Sequence, residues 1–352
     1  MSIDAVHFLQ ELVSISSISG EEEEAATYLV AVMESLGMEA RVDEVGNAVG
    51  VREGPDGEGW IEQETVLLGH VDTVPGEIPV RIEDGRLYGR GSVDAKGPLA
   101  TFVMAAARAE LAPGRRLVVV GAVEEEAATS KGARHVADVY RPDACIIGEP
   151  SGWDGITLGY KGRLLLDYVY RQPMSHSAGP QEEVAEAAVA WWNEIAAYAE
   201  AYNRGRARLF DQLFAGLRHI QTESDGLTNS VTARVGLRLP PGFDAAAFAQ
   251  RAKEMAGPAR VRDYGHEPAF RASRQTDLVR AFNVALRQSD RRPRFKLKTG
   301  TSDMNIVGPR WGCPIVAYGP GDSRLDHTPQ EQIAIDEYLQ AISILTAVLS
   351  VL

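Results

Sequence analysis

Five short segments of this 352-residue chain carry the imidazoles and carboxylates from which a metal centre can be built. The first is Gly69-His70-Val71-Asp72-Thr73-Val74-Pro75, at the end of an apolar run. Residues two apart share one face of a strand, so His70 and Asp72 point the same way. His70 can bind zinc while Asp72 holds its imidazole or steadies a neighbouring group. The second, Tyr88-Gly89-Arg90-Gly91-Ser92-Val93-Asp94-Ala95-Lys96-Gly97-Pro98, places Asp94 just ahead of the helix that Gly97-Pro98 starts. Its carboxylate has two oxygens and can bridge two cations. In the third, Glu124-Glu125-Glu126 follow the apolar run Leu117–Gly121, at a strand end where α/β proteins place their sites. One of the three could ligate a metal while its neighbour serves as general base. Glu149 in Ile147-Gly148-Glu149-Pro150-Ser151 ends another such run, and Asp326-His327-Thr328-Pro329-Gln330-Glu331 stands shortly before the last helical stretch. Singly, each segment also reads as a satisfied surface pair, a polar loop or a solvated turn. The order of all five carries the weight.

The elements that must position these residues follow from patterning. Short β-like apolar runs at Val66–Leu68, Leu117–Val120, Ala144–Ile147 and Ile315–Ala317 alternate with helical stretches at Leu99–Leu111, Ser130–Val139, Leu278–Arg287 and Ile333–Val348. That rhythm predicts an α/β domain with a mixed, largely parallel sheet and helices on both faces. An amphipathic helix opens the chain, and Glu21–Glu24 read as the solvated first turn of a second helix, complementing its dipole. Between about Gly159 and Ala269 the rhythm changes to strand, helix, strand, helix, strand: Arg163–Tyr170, Gln181–Tyr202, Ser230–Leu239, Asp244–Met255 and Arg260–Tyr264. This pattern predicts an inserted α+β sandwich over 159–269, splitting the larger domain into 1–158 and 270–352.

With these segments in place, the sequence resembles the co-catalytic zinc aminoacylase and peptidase family that includes carboxypeptidase G, acetylornithine deacetylase and succinyl-diaminopimelate desuccinylase. The resemblance covers nearly the whole chain, and all five segments occur in the family's order. It implies that His70, Asp94 and Glu149 hold one zinc and that Asp94, Glu126 and His327 hold the other, with cobalt as a substitute. It implies further that Asp72 orients His70 and that Glu125 is the general acid/base. The family usually has Asp-Glu-Glu where this chain has Glu124-Glu125-Glu126, which leaves the register open by one position. Gly132, counted from Glu126, favours Glu125 as the base. Paired ions roughly 3.5–4 Å apart would acidify a water, and no covalent intermediate is needed. The insert would be a lid that also supports a homodimer. In it, Ser175-His176-Ser177-Ala178-Gly179 matches the family's oxyanion-stabilising histidine, His176, while Asn229 and Arg238 match positions that contact substrate carboxylate. Arg238 reads equally as a structural strand arginine. Thr299-Gly300-Thr301-Ser302-Asp303 is similar to the family's glycine-rich substrate loop, so Gly300, Thr301 and Ser302 are candidate contacts.

Finer resemblance lies in Val123–His135 and in Gly148–Arg163, with its Glu149-Pro150-Ser151-Gly152-Trp153. Both are close to the amino-group-carrier-protein lysine hydrolases of lysine biosynthesis. These release lysine, and in some cases ornithine, from the γ-carboxyl of the terminal glutamate of an acidic carrier protein. A small-molecule deacylase or a dipeptidase of the same family, and a non-catalytic metal-binding scaffold, are the competing expectations.

Composition bounds the partners. With 36 Lys and Arg against 49 Asp and Glu the formal charge is −13, which argues against nucleic acid or an anionic membrane as partner. Residues 1–65 hold 15 of the acids and 2 of the basic residues, so the remainder is neutral. Residues 271–298 are locally basic, with nine Arg or Lys against Asp277 and Asp290. This segment either receives an acidic carrier beside the substrate loop or neutralises the acidic N-terminal helices. Cys145 and Cys313 lie in runs that read as buried strands, as reduced packing residues. No signal peptide is visible and no run of about 18 apolar residues occurs, so a cytoplasmic protein is expected.

Overall fold

In the computed structural model, which describes residues 3–55, 61–175 and 183–352, the chain divides into two compact units. The larger comprises Met1–Gly159, Arg271–Leu297 and Ser302–Leu352; the smaller comprises Tyr160–Phe270 with Lys298–Thr301. Gly300 and Thr301, expected in the second part of the large domain, therefore group with the small unit.

Uninterrupted Val, Leu and Ile runs need both faces of a strand shielded from water. The large unit supplies this with a nine-stranded sheet. Seven of its strands run, in spatial order, Glu39–Val42, Ala48–Glu53, Arg115–Ala122, Gln63–His70, Ala144–Gly148, Ile315–Tyr318, Gly155–Tyr160. The pairings among Arg115–Ala122, Gln63–His70, Ala144–Gly148 and Ile315–Tyr318 are parallel. Ala48–Glu53 and Gly155–Tyr160 join antiparallel on either side. The sheet is thus mixed, as expected, with its parallel part confined to the centre. Alternation sorts the faces. Leu67, Leu117, Val119, Ile146 and Val316 join a core made with helices Ala5–Ser14, Glu23–Ser35, Lys96–Arg108, Asp277–Gln288 and Ile335–Leu349. Val66, Leu68, Val118 and Val120 are buried on the opposite face. There, helices Lys131–Val139 and Met304–Trp311 pack on each other and on the strands Arg115–Ala122 and Ile315–Tyr318. Met304–Trp311, with Pro309 inside it, has no counterpart in the periodicity reading.

The small unit is a four-stranded antiparallel sheet in the order Phe214–Ser224, Thr228–Leu239, Gly162–Pro173, Arg260–Glu267. Helices Val184–Asn203 and Ala245–Met255 share one core with it. Trp191 anchors that core, stacked 4.7 Å from Tyr168 and donating its indole N–H to the Ala252 carbonyl at 2.9 Å. The strand Phe214–Ser224 is absent from the sequence reading because most of it faces water and lacks an apolar stripe. Its turn was legible: Asp225-Gly226, with Gly226 at φ +86° and the Asp225 carboxylate accepting from the Leu227 and Thr228 N–H groups, is a hairpin signal.

Both cysteines are free thiols; Cys145 is buried, while Cys313 is half-buried and precedes the strand Ile315–Tyr318 rather than lying in it. Among the described residues no helix is long and apolar enough to cross a membrane.

Candidate metal centre

His70 is the last residue of its strand and is 2% exposed. Its Nδ1 lies 3.0 Å from the Asp72 backbone oxygen and 3.4 Å from Asp72 Oδ1. Its Nε2 is buried with no hydrogen-bond partner among the described residues, and faces Asp94 Oδ1 at 3.5 Å. The other Asp94 oxygen lies 3.1 Å from His327 Nε2, which is 2.7 Å from Glu126 Oε1. Asp94 thus turns one oxygen to each histidine. Ligand atoms within 4.8 Å of one another form three overlapping groups: His70, Asp94 and Glu149; Asp94, Glu126 and His327; and His70, Glu125 and Glu126. An orphaned buried imidazole nitrogen, a carboxylate with divergent oxygens and an all N/O donor set fit a pair of divalent cations.

Electrostatics point the same way. Desolvation raises the Glu125 carboxyl well above its ordinary value, and Asp303, Glu126 and Glu149 reinforce this against the pull of His70. Glu126 is raised by desolvation and by Asp94. Burial opposes charge on His70, but Asp72 and Asp94 lift its pKa well above normal. Asp94 and Glu126 take His327 to about 11. Asp94, flanked by the two imidazoles, is pulled far down despite its burial. Without metal, the cluster holds protons where cations would otherwise supply positive charge.

The loop carrying the three glutamates is fixed by its backbone. Asp72 is fully buried; its Oδ1 accepts the Glu125 N–H and its Oδ2 accepts the Glu126 N–H, each at 3.0 Å, with the Ser19 hydroxyl added at 2.7 Å. Glu124, at φ +57°, turns its side chain away from the cluster to Thr129, whose hydroxyl donates to it at 2.5 Å. Gly132 is needed because a Cβ there would sit 2.4 Å from Asn47 Oδ1 and 2.6 Å from the Val123 nitrogen. Asn47 Oδ1 in turn accepts the Val123 N–H at 3.0 Å. The Asp94 loop is held likewise: buried Glu331 accepts the Val93 and Asp94 N–H groups at 3.0 and 3.1 Å and pairs with Arg90 at 2.7 Å. In the sequence Glu331 closes the Asp326–Glu331 motif with no evident task. Its depth in the fold, invisible in a run of polar residues, supplies one.

His176 lies outside the described residues. In the small unit Arg238 Nη1 donates to Thr301 Oγ1 at 2.7 Å, which brings two candidate substrate residues together. Ser302, in the large unit, is buried, its N–H bonded to Asn305 Oδ1 at the start of Met304–Trp311. Asn229 and Arg238 stand at opposite ends of the strand Thr228–Leu239, about 30 Å apart at the rise of an extended chain. One chain therefore cannot present both to the same small carboxylate. In the basic segment Arg294 pairs with Asp154, Lys296 donates to the Ser151 carbonyl at 2.6 Å, and the Arg291 guanidinium lies 5.3 Å from the Trp153 ring. These contacts gather on the loop just after Glu149. The segment's ion pairs include Arg294–Asp154 and Arg280–Asp277, neither of which reaches the acidic N-terminal helices.

A central sheet that presents overlapping imidazole–carboxylate groups from its strand ends and connecting loops, in a chain with a separate α+β unit, has the layout of a metal-dependent amide hydrolase. The chain belongs to peptidase family M20/M25/M40, which residues 66–351 match, and it is a hydrolase of amide bonds. It is 45% identical over 355 residues to the LysW-lysine hydrolase of Deinococcus radiodurans, covering 98% of this chain and 96% of that one. A relative from Thermococcus kodakarensis, provisionally assigned as a LysW-lysine/LysW-ornithine hydrolase, is 45% identical over 350 residues, covering 99% and 92%. The fold is shared with an M20 family metallo-carboxypeptidase from Sulfolobus solfataricus, at a TM-score of 0.80 and 20% identity over 99% of both chains.

Ligation requires neutral imidazoles, whereas the raised pKa values of His70 and His327 keep both protonated near neutrality in the metal-free protein. Zinc binding is therefore expected to release protons, with affinity rising from pH 6 to 8 by about tenfold per unit for each proton displaced. In the same calorimetric titration Asp72→Ala should bind zinc about 10–100-fold more weakly. Unchanged affinity in that variant would remove Asp72 from this account.

Proposed function

We propose that this protein hydrolyses the amide joining lysine, and also ornithine, to the γ-carboxyl of the terminal glutamate of an acidic amino-group carrier protein, in the cytoplasm and with two zinc ions. The observation that carries the reading is the 45% identity, over nearly the whole of both chains, to the LysW-lysine hydrolase of Deinococcus radiodurans. In it, His70, Asp94 and Glu149 hold one cation and Asp94, Glu126 and His327 the other. When bound, the cations acidify a water and polarise the amide carbonyl. Glu125 takes a proton on its carboxylate as the water attacks and delivers it to the departing lysine amine. Asp72 keeps His70 and the base in fixed relation. His176 stabilises the oxyanion, while Arg238 and the Gly300–Ser302 loop contact the substrate.

The zinc-loaded enzyme should release lysine from purified carrier far faster than it cleaves acetylornithine or succinyl-diaminopimelate; the reverse order would replace this reading with a small-molecule deacylase. Glu125→Gln should lower kcat by about 10²–10⁴-fold with two zinc ions retained.

Basic residues 271–298 supply the carrier's docking surface in this reading. Arg287, Arg291 and Arg292 are exposed on the large unit, whereas Arg294 is engaged with Asp154. Reversing Arg287, Arg291 and Arg292 to Glu should raise KM for carrier-bound lysine at least about tenfold, while KM for a small acyl-lysine stays the same. Equal effects on both substrates would remove docking from the account.

The small unit mediates a homodimer. Its edge strand Phe214–Ser224 exposes residues 218–224, including Ile220, as an unpaired ladder. Sedimentation should give a dimer that Ile220→Pro converts to monomer; a monomeric wild type would rule this out.

A further inference from the structure

Glu21–Glu24 read in sequence as a solvated helix turn, and Glu22 departs from that expectation. It is 7% exposed, while Glu21, Glu23 and Glu24 face water. No ion pair to it appears among the described residues. Instead, one of its oxygens, Oε1, accepts two backbone N–H groups: Gly20 at 2.9 Å and, 102 residues along the chain, Glu124 at 3.1 Å.

Glu124 is the residue at φ +57°, a left-handed conformation that a side chain disfavours. There the chain turns so that the N–H groups of residues 124, 125 and 126 are all held by buried carboxylates. Glu22 takes the first and the two oxygens of Asp72 take the others. Neither Glu22 nor Asp72 belongs to a candidate metal-ligand group. Ser19 links the two clamps, since its hydroxyl donates to Asp72 Oδ2 three residues before Glu22. Glu22 is itself the N-cap of the helix Glu23–Ser35, and its carbonyl accepts the Ala26 N–H at 2.9 Å. The left-handed turn is thereby tied to a long, packed helix rather than to another loop.

We infer that Glu22 is a positioning residue that fixes the carboxyl of Glu125 by holding the Glu124 peptide; this rests on Glu125 being the base. Both bonds fall on one oxygen, so the interaction needs an acceptor at the right reach and not a charge. A glutamine retains the acceptor. An aspartate retains the charge but falls one methylene short of the Glu124 N–H.

The test compares E22Q, E22D and E22A in the full-length protein. In the zinc-loaded enzyme acting on carrier-bound lysine, E22D and E22A should lower kcat about 10–100-fold, with KM within about threefold and both zinc ions retained. E22Q should keep kcat within about threefold of wild type. Amide exchange of the segment spanning residues 122–128, measured on metal-free protein, should speed up in E22D and E22A and not in E22Q. Unchanged kcat with only a lowered Tm, or a glutamine variant as impaired as alanine, would overturn the inference. If wild type fails on carrier-bound lysine, the substrate assignment is wrong. The exchange measurement then decides on its own, and unaltered exchange in E22D and E22A overturns the positioning role.

Discussion

The site depends on one buried carboxylate that belongs to none of the candidate ligand groups. Asp72 stands two residues beyond the end of the His70 strand, and four contacts converge on it. Its Oδ1 faces the inner nitrogen of His70 at 3.4 Å; its two oxygens accept the Glu125 and Glu126 N–H groups; and Ser19 donates to it from the N-terminal segment. A fully buried carboxylate is stable only where hydrogen bonds and positive charge replace water. Meeting that requirement draws the imidazole and the acidic loop to one point. The same charge that orients His70 therefore also sets where Glu125 and Glu126 begin.

A wider pattern follows from this. Two of the loops bearing acids of the site are tied down by carboxylates that accept backbone N–H groups: Asp72 and Glu22 for the glutamate loop, Glu331 for Asp94. Backbone bonds set where a loop runs, and with it the point from which each side chain reaches toward the cations. The arrangement also concentrates negative charge, which the raised pKa values of His70 and His327 register; burial, with neighbouring carboxylates, raises Glu125 and Glu126. Two divalent cations would relieve that repulsion, so metal binding and the order of the site are coupled.

What was legible in the sequence divides along physical lines. The central strands were legible because burial on both faces leaves continuous apolar runs, and His70, Glu124–Glu126 and Glu149 were found by standing at or just beyond the ends of those runs. The register of the acidic loop was legible only through its spacing to Gly132, since three identical side chains carry no internal distinction. It is the left-handed turn at Glu124 that turns the first glutamate toward Thr129. Glu22 carries no signal of its own, because a helix start rich in acids has a sufficient local explanation in the helix dipole. Only a contact 102 residues away shows that one of the four is buried. The strand Phe214–Ser224 escaped because an exposed edge needs no apolar alternation, although Asp225-Gly226 marked its turn. Asn229 and Arg238 shared a motif-level role, yet opposite ends of one strand keep them apart.

If Asp72 fixes His70 and the glutamate loop as the distances show, Asp94 would stand between two cations and Glu125 outside their ligand shells. Crystallography of the zinc-loaded protein, with ions located by anomalous scattering, tests it most directly. Two ions roughly 3.5–4 Å apart are expected, with Asp94 shared between them, His70 and Glu149 on one and Glu126 and His327 on the other. A single ion, or Glu125 coordinated with His70 and Glu126, would contradict it.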